Sequence, residues 1–429
     1  MKFTAVGDAI IQKRIYPDFP GYEELAAFIE QGDGRFFNLE TTLNPEGCTC
    51  ASQYSGGTYL RADPNVLADL MDFGFNMTSF NNNHAMDFSY GGLEYTLDVL
   101  DESGIVHAGV GRNLAQASAP KYLETPNGRV ALIAVNTSFN PAAMAGQQTA
   151  RIPGRPGING LRISTHIELP RQELDAIKRI AAGTDINAEK NITRKEGYFP
   201  DLKEDETVLG DLMFKLGDTM RTVTSLNEND LARIKNAIWE AQLQADYIMI
   251  SVHSHQLSGD AKENPAEFLQ TFAHWCIDNG AHAVVGHGPH LLRPIEVYKD
   301  CPIFYSLGDF VLQLYDVELA PEEFFEKYGL TSADSVHTLL QKRSKNFTVG
   351  LMTDKRMFIS VIPCWETAGT KMTKLTLLPI ELAMDGNKSA VGLPRRSSDP
   401  EIGNYLAAMC APFGTKITAE ADGTLTCTW

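Results

Sequence analysis

The feature that most constrains this chain is an alternation of short apolar, β-branched runs with amphipathic stretches, repeated along most of its length. KFTAVGD (2–8), FFNLE (36–40), FNMTSF (75–80), VALIAVNTS (130–138), DYIMISV (246–252), HAVVG (282–286) and PIFYSLGDF (302–310) read as strands. Residues 22–32, 64–74, 90–104, 229–245 and 265–280 carry the apolar spacing of helices between them. Such an order predicts a layered α/β or α+β domain. The pattern weakens between about 140 and 225, where a Gly/Pro-rich stretch (153–162), one amphipathic helix near 170–182 and a charge-dense segment (190–206) read as an insertion or lid. A strand-rich region (347–382), a helix (399–411) and a last strand follow. With no internal repeat and no low-complexity linker, one elaborated domain is expected over 1–382, with the C-terminal helix and strand of 383–429 packed on it.

With 43% hydrophobic and 21% charged residues, the 429-residue chain has the composition of a globular protein. Its net charge of −17 argues against sequence-independent nucleic-acid binding, which rests on basic clusters. The 140–225 stretch holds 12 Lys/Arg and 12 Asp/Glu, so the whole excess of acid lies outside it. Seven scattered cysteines with no Cys-x-x-Cys indicate neither a disulfide framework nor a zinc ribbon. No secretion signal and no apolar run near the roughly 20 residues of a membrane span is visible, so a cytoplasmic location is expected.

The polar residues sit where the strands end. Asp8, Asn38 and Glu40, Asn83 and His84, His253 and His255, and His287 and His290 each fall at the C-terminal edge of a strand. In open α/β sheets those edges gather at one crevice, where ligands bind. Imidazole and carboxylate together suit a divalent transition metal, and two such ions can clamp a phosphoryl group and activate water, so hydrolysis is the natural reaction. A single histidine at a strand end is as readily structural, which applies to His255 and His282, and more so to His107 and His274. GHGPH (286–290) is more telling, because its Gly and Pro build a tight turn that carries two imidazoles. GVGRN (109–113) has Leu114 in place of a third glycine and reads as a turn. Arg14, Arg155 and Arg162 are candidates for binding an anionic substrate, with a solvated surface role as the alternative.

Taken in order, GDAII (7–11), NLETTL (38–43), NNNHAMDFSYGG (81–92), HAGVGRNLAQA (107–117), SVHSH (251–255), GHGPHLLRPIEVY (286–298) and FYSLGDF (304–310) resemble the poly-γ-glutamate capsule-synthesis proteins, the CapA-like family. That family is similar to calcineurin-like metallophosphoesterases. The resemblance implies a four-layer α/β/β/α sandwich of the metallo-dependent phosphatase type. It also implies one or two divalent ions (Mn, Zn or Fe), with Asp8, Glu40, Asn83, His253, His287 and His290 as ligands. His84 matches the position that gives a proton or hydrogen bond to substrate; Asp87 either orients it or caps the helix beginning near Tyr90. The chain departs from the metallophosphoesterase pattern in three places: Asp8-Ala9-Ile10 lacks the usual first-strand histidine, Glu40 replaces a bridging aspartate, and the last pair is His-x-x-His. SLGDF carries Asp309 where the family form has asparagine. The expected activity is hydrolysis of a small anionic phosphoester or a γ-glutamyl substrate. The alternative is a non-catalytic subunit that binds poly-γ-glutamate or serves capsule assembly.

Overall fold

In the computed structural model, which describes residues 1–55, 57–384 and 390–429, the strand Lys2–Ile10 is the axis of the fold. Side chains alternate across a strand. Phe3 and Ala5 accordingly enter a core shared with a second sheet, while Val6 joins a core shared with helices and the Thr4 hydroxyl donates to the Ile29 carbonyl at 2.8 Å. Around this strand the described residues build a ten-stranded mixed sheet. Gly34–Leu39, Met77–Ser79 and Val106–Ala108 continue it in parallel on one side. On the other side Ile359–Ala368 pairs antiparallel with residues 2–4, and Asp309–Leu312 pairs parallel with residues 8–10.

A six-stranded sheet holds Gly128–Asn136, Tyr247–His253, Ala283–His287 and Cys301–Phe304 in parallel, with Lys121–Thr125 and Ile295–Tyr298 antiparallel at its edges. The two sheets share an apolar core. Its centre is aromatic: Phe3 stacks on Tyr247 with centroids 4.2 Å apart and on Trp365 at 5.3 Å, and the Trp365 indole donates to the Tyr247 hydroxyl at 3.1 Å. Aromatic pairs of this kind contribute about 0.5–1.5 kcal/mol each beyond area burial.

The other face of the ten-stranded sheet is covered by Tyr22–Ile29, Val66–Asp72 and Ser89–Ser103. Leu93, Leu97 and Leu100 form the buried stripe expected of an amphipathic helix, which ends at Gly104 in the left-handed conformation. Glu267–Asp278 packs on Ala283–His287 through its own buried stripe, which includes Phe268, Phe272 and Cys276. The fold is a mixed α/β one with several sheets, as the alternation predicts.

Three departures have physical causes. Residues 302–310 read as one strand but form two: Cys301–Phe304 lies in the six-stranded sheet and Asp309–Leu312 in the ten-stranded one, with a turn at Gly308 (φ 74°) between them. The expected strand region from 347 starts only at Ile359; before it lie helical turns at Leu351–Thr353 and Lys355–Phe358, after the helices Glu322–Lys327 and Val336–Arg343. Residues 162–231 form a compact unit of their own, with a four-stranded sheet ordered Glu206–Leu209, Leu212–Leu216, Ile163–Leu169, Arg221–Leu226 and the helices Arg171–Ala182 and Ala188–Lys195. Residues 140–161 belong instead to the larger unit, which comprises 1–161 and 232–429.

Gly7 marks the closest approach in the central sheet. A Cβ there would lie 1.8 Å from the Gly308 carbonyl oxygen. Gly7→Ala should therefore cost about 1–3 kcal/mol, the range for an overpacked interior site, seen as a lower denaturation midpoint. A variant as stable as the parent would contradict this packing.

Candidate metal centre

Asp8 is fully buried at the end of the central strand, between two register shifts, one against Gly34–Leu39 and one against Asp309–Leu312. Such irregularities re-aim side chains beside functional sites. The carboxylate is held by Asn38 Nδ2 at 2.7 Å on Oδ1 and by the Gly288 backbone N–H at 2.9 Å on Oδ2. Gly288 has φ 117°, and a Cβ there would meet the His253 ring at 3.1 Å, so this donor position requires glycine.

Glu40 follows the next parallel strand. The polar turn at 81–84 is fixed by Asn82, whose Nδ2 donates to the Leu39 carbonyl at 2.7 Å and whose Oδ1 accepts the His84 N–H at 3.1 Å. From the six-stranded sheet come His253 and His287, paired in register on adjacent parallel strands. His290 lies beyond the turn with φ 59°, and its Nδ1 is 2.9 Å from Asp309 Oδ1. Asp309 is itself the register partner of Asp8. The two sheets meet where His287 Nδ1 lies 3.6 Å from Asp8 Oδ1.

These donors form three overlapping groups: Asp8, His253 and His287 make one, and Glu40 borders the other two. Around Asn83 Oδ1, His253 Nε2 lies at 2.7 Å and His255 Nε2 at 3.2 Å; the two imidazole nitrogens are 3.1 Å apart, and His253 Nε2 is 3.9 Å from Glu40 Oε1. Ligands about 2.1 Å from a tetrahedral ion are separated by about 3.4 Å, and the separations of 2.7, 3.1, 3.2 and 3.9 Å found here bracket that value. The third group is Asp8, His290 and Asp309, with His290 Nδ1 3.6 Å from Asp8 Oδ2 and His290 Nε2 3.8 Å from Glu40 Oε1. Among the described residues no amide, imidazole or hydroxyl donor reaches either oxygen of buried Glu40 or Asp309 Oδ2. Buried carboxylates are normally paired or bound to metal, so these atoms fit a divalent cation.

Electrostatics agree with that fit. Burial, then the charges of Asp8 and Asp309, push the Glu40 pKa well above the usual carboxylate range, and burial raises Asp309 to about 6. Burial, reinforced by neighbouring imidazoles, pulls His253 and His255 well below the ordinary histidine value, and burial takes His287 to about 4. Imidazoles must be neutral to ligate, and burial holds these three neutral at pH 7. Burial also opposes charge on His290, but Asp309 and Asp8 outweigh it and raise its pKa.

His84 is buried with its Nδ1 2.6 Å from Asp87 Oδ2, and Asp87 also accepts the Leu60 N–H at 2.8 Å. The N-cap position of the helix Ser89–Ser103 is Phe88, and the Asp87 carboxylate lies against the His84 ring.

The structure brings Asp8, Glu40, Asn83, His253, His287 and His290 together and adds two residues that the sequence left open, His255 and Asp309. His255 stands with Glu40 and His253 in one group, and His287 stands with Asp8 and His253 in another, its Nε2 2.7 Å from the Ser251 hydroxyl and its Nδ1 2.9 Å from His253 Nδ1. The signal for His255 was its place two residues after His253, which puts it on the same side of an extended chain. The three arginines are engaged elsewhere. Arg14 makes a bidentate pair with buried Asp69, Arg155 donates to the Met144 carbonyl, and Arg162 pairs with Asp230 within the 162–231 unit. Neither Arg14 nor Arg155 lines the cavity of about 300 Å³ at the centre, where the arginines are Arg293 and Arg343. His282 is structural, accepting the Ile248 N–H on Nδ1 at 3.0 Å, and His107 and His274 pair with Asp101 and Glu296.

A mixed α/β fold whose parallel strands deliver carboxylate, amide and imidazole donors to one buried point defines a metallophosphoesterase-like class of protein. The model of the bacterial capsule synthesis protein family PGA_cap matches residues 2–314, and the chain belongs to that family, which lies within the metallophosphoesterase-like superfamily. An uncharacterized protein of Sinorhizobium fredii, y4sH, is 33% identical over 433 residues, covering 97% of this chain and 91% of the relative. The capsule biosynthesis protein CapA of Bacillus anthracis is 21% identical over 317 residues, 72% of this chain and 59% of its own. The PGA biosynthesis protein CapA of Bacillus subtilis is 42% identical over a 74-residue segment, 17% of this chain and 19% of its own. No helix among the described residues is long and apolar enough to cross a membrane.

Proposed function

We propose that the chain is a metal-dependent hydrolase of the metallophosphoesterase type, its larger unit a four-layer α/β/β/α sandwich, acting on a phosphoester or γ-glutamyl substrate of capsule or cell-envelope polymer metabolism. The observation that carries this reading is Glu40, a buried carboxylate whose oxygens meet no amide, imidazole or hydroxyl donor among the described residues, with the imidazoles of His253 and His290 within 4 Å of Oε1. One divalent ion, Mn, Zn or Fe, would be held by Glu40, Asn83, His253 and His255. A second would be held by Asp8, Asp309 and His290, with Asp309 supplying the ligand that the first strand lacks at Ile10. Such ions supply Lewis-acid polarisation of an oxyanion and a nucleophile at neutral pH. Asp87 fixes the His84 ring through Nδ1 and leaves Nε2 to give a proton to the leaving oxygen.

The second reading is a non-catalytic capsule-assembly subunit. It is favoured by the names of the two CapA relatives, which describe biosynthesis. Metal analysis after reconstitution with Mn, Zn or Fe, combined with a hydrolysis screen over phosphoesters and γ-glutamyl peptides, separates the two. The expected result is about two ions per chain, falling toward one in Asp309→Asn, together with turnover. Absence of bound metal sinks the hydrolase reading; metal without turnover favours the assembly subunit.

A further inference from the structure

The cavity at the metal centre has two unlike sides. Asn83, His84, His255 and His290 border it, and beside them stand the cations Lys262, Arg293 and Arg343. Arg293 is fully buried, and among the described residues its guanidinium donates only to the backbone carbonyls of Lys262, Ser254 and His255. Among the described residues no carboxylate forms an ion pair with any of these three cations. In a chain of net charge −17, such a cluster is a local site for an anion.

The opposite side is apolar and comes mainly from residues 312–357, most of which lie beyond the family match that ends at 314. The helix Val336–Arg343 buries Val336 and Leu339 in the core with Phe325 and Phe358. Its residues Leu340 and Arg343, three apart and so on one face, border the cavity. The chain then runs through three successive non-glycine residues with positive φ, Lys345 (50°), Asn346 (60°) and Phe347 (57°), and Phe347 and Met352 continue the apolar wall. Left-handed runs of ordinary residues persist only where their surroundings over-determine them, and they concentrate at ligand clamps. Here the run is held by Asn346 N–H on the Gln341 carbonyl at 2.8 Å and Phe347 N–H on the Ser344 hydroxyl at 2.9 Å.

We infer that this cavity binds an oxyanion that carries an aliphatic group, with the anion on Lys262, Arg293 and Arg343 beside the metal cluster and the aliphatic group against Leu340, Phe347 and Met352. The inference deepens the proposed function, on which it rests for the position of the reacting end. At about 300 Å³ the cavity lies at the lower end of the range for small-molecule sites, so it admits a short chain and not a long acyl tail. Selectivity for that group then resides in residues 336–352.

The test is calorimetric titration of the metal-loaded protein with methyl, butyl and hexyl phosphate and with the carboxylates of matching chain length. Each methylene buried is expected to tighten binding about two- to fourfold. Leu340→Gln should flatten the series, and Arg343→Gln should weaken every member about tenfold. A steep series with phosphates alone assigns a phosphate anion; a steep series with both anions assigns the shared oxyanion chemistry. Equal affinity for methyl and hexyl phosphate overturns the aliphatic pocket while leaving the metal reading intact, and binding of neither anion overturns the inference altogether. If no metal is retained and the series is still steep, the pocket stands and the hydrolase reading falls. The unmodified protein decides the chain-length question, so no outcome depends on a variant folding.

Discussion

His84→Gln turns over the substrate found in a hydrolysis screen about 10²–10⁴-fold more slowly than the parent protein, with metal content unchanged, because a positioned general acid contributes on that order. The imidazole belongs to none of the three metal-donor groups among the described residues. Its Nδ1 is committed to Asp87, and Asp87 is in turn committed to the Leu60 N–H, so ring orientation is set by backbone as well as by side chain. Asp87→Asn should lower turnover in the same direction but by less, since the ring remains while its orienting charge is lost. Steady-state kinetics and elemental analysis on the same samples check this. An unchanged rate in His84→Gln would make His84 a structural part of the 81–84 turn; loss of metal would make it a ligand.

Glu40→Gln is expected to abolish metal-linked stabilisation. A ligand that binds only the native state stabilises it by about 2.7 kcal/mol at 100 times its dissociation constant, and Glu40 borders two of the donor groups, so the variant should show almost none of that gain. The sign for the metal-free protein is opposite. Burial and neighbouring carboxylates raise the Glu40 pKa, so an ionised Glu40 is a cost to the metal-free fold that a neutral amide of the same size avoids. Metal-free Glu40→Gln should therefore be as stable as the metal-free parent or more so. Denaturation curves of both proteins, with and without metal, give all four values. Equal destabilisation of both forms would make Glu40 a structural group.

Much of the fold was legible because its cues are local. Leu93, Leu97 and Leu100 mark a helix by spacing alone, and the apolar runs at 130–138 and 246–252 mark strands buried on both faces. The candidate ligands were legible for a related reason: they end strands, and parallel strands of one sheet deliver their ends to one edge. What was not legible depends on contacts between distant segments. The run 302–310 looks continuous, yet the turn at Gly308 passes the chain from one sheet to the other and sets Asp309 beside Asp8. Arg14 looked available to an anion until Asp69, 55 residues away, occupied it.

By itself, then, the amino-acid sequence determined the alternating elements, the acidic balance and the residue types at the strand ends, since each depends on neighbours within a few positions. Only the tertiary structure decided that His255 lies beside Glu40, Asn83 and His253 while His287 lies beside Asp8 and His253, that Asp309 stands by Asp8, and that residues 336–352 wall the cavity. Those outcomes turn on which imidazole nitrogen faces which donor and on how two sheets meet, and such distances are set by packing across the whole core, which no local spacing encodes.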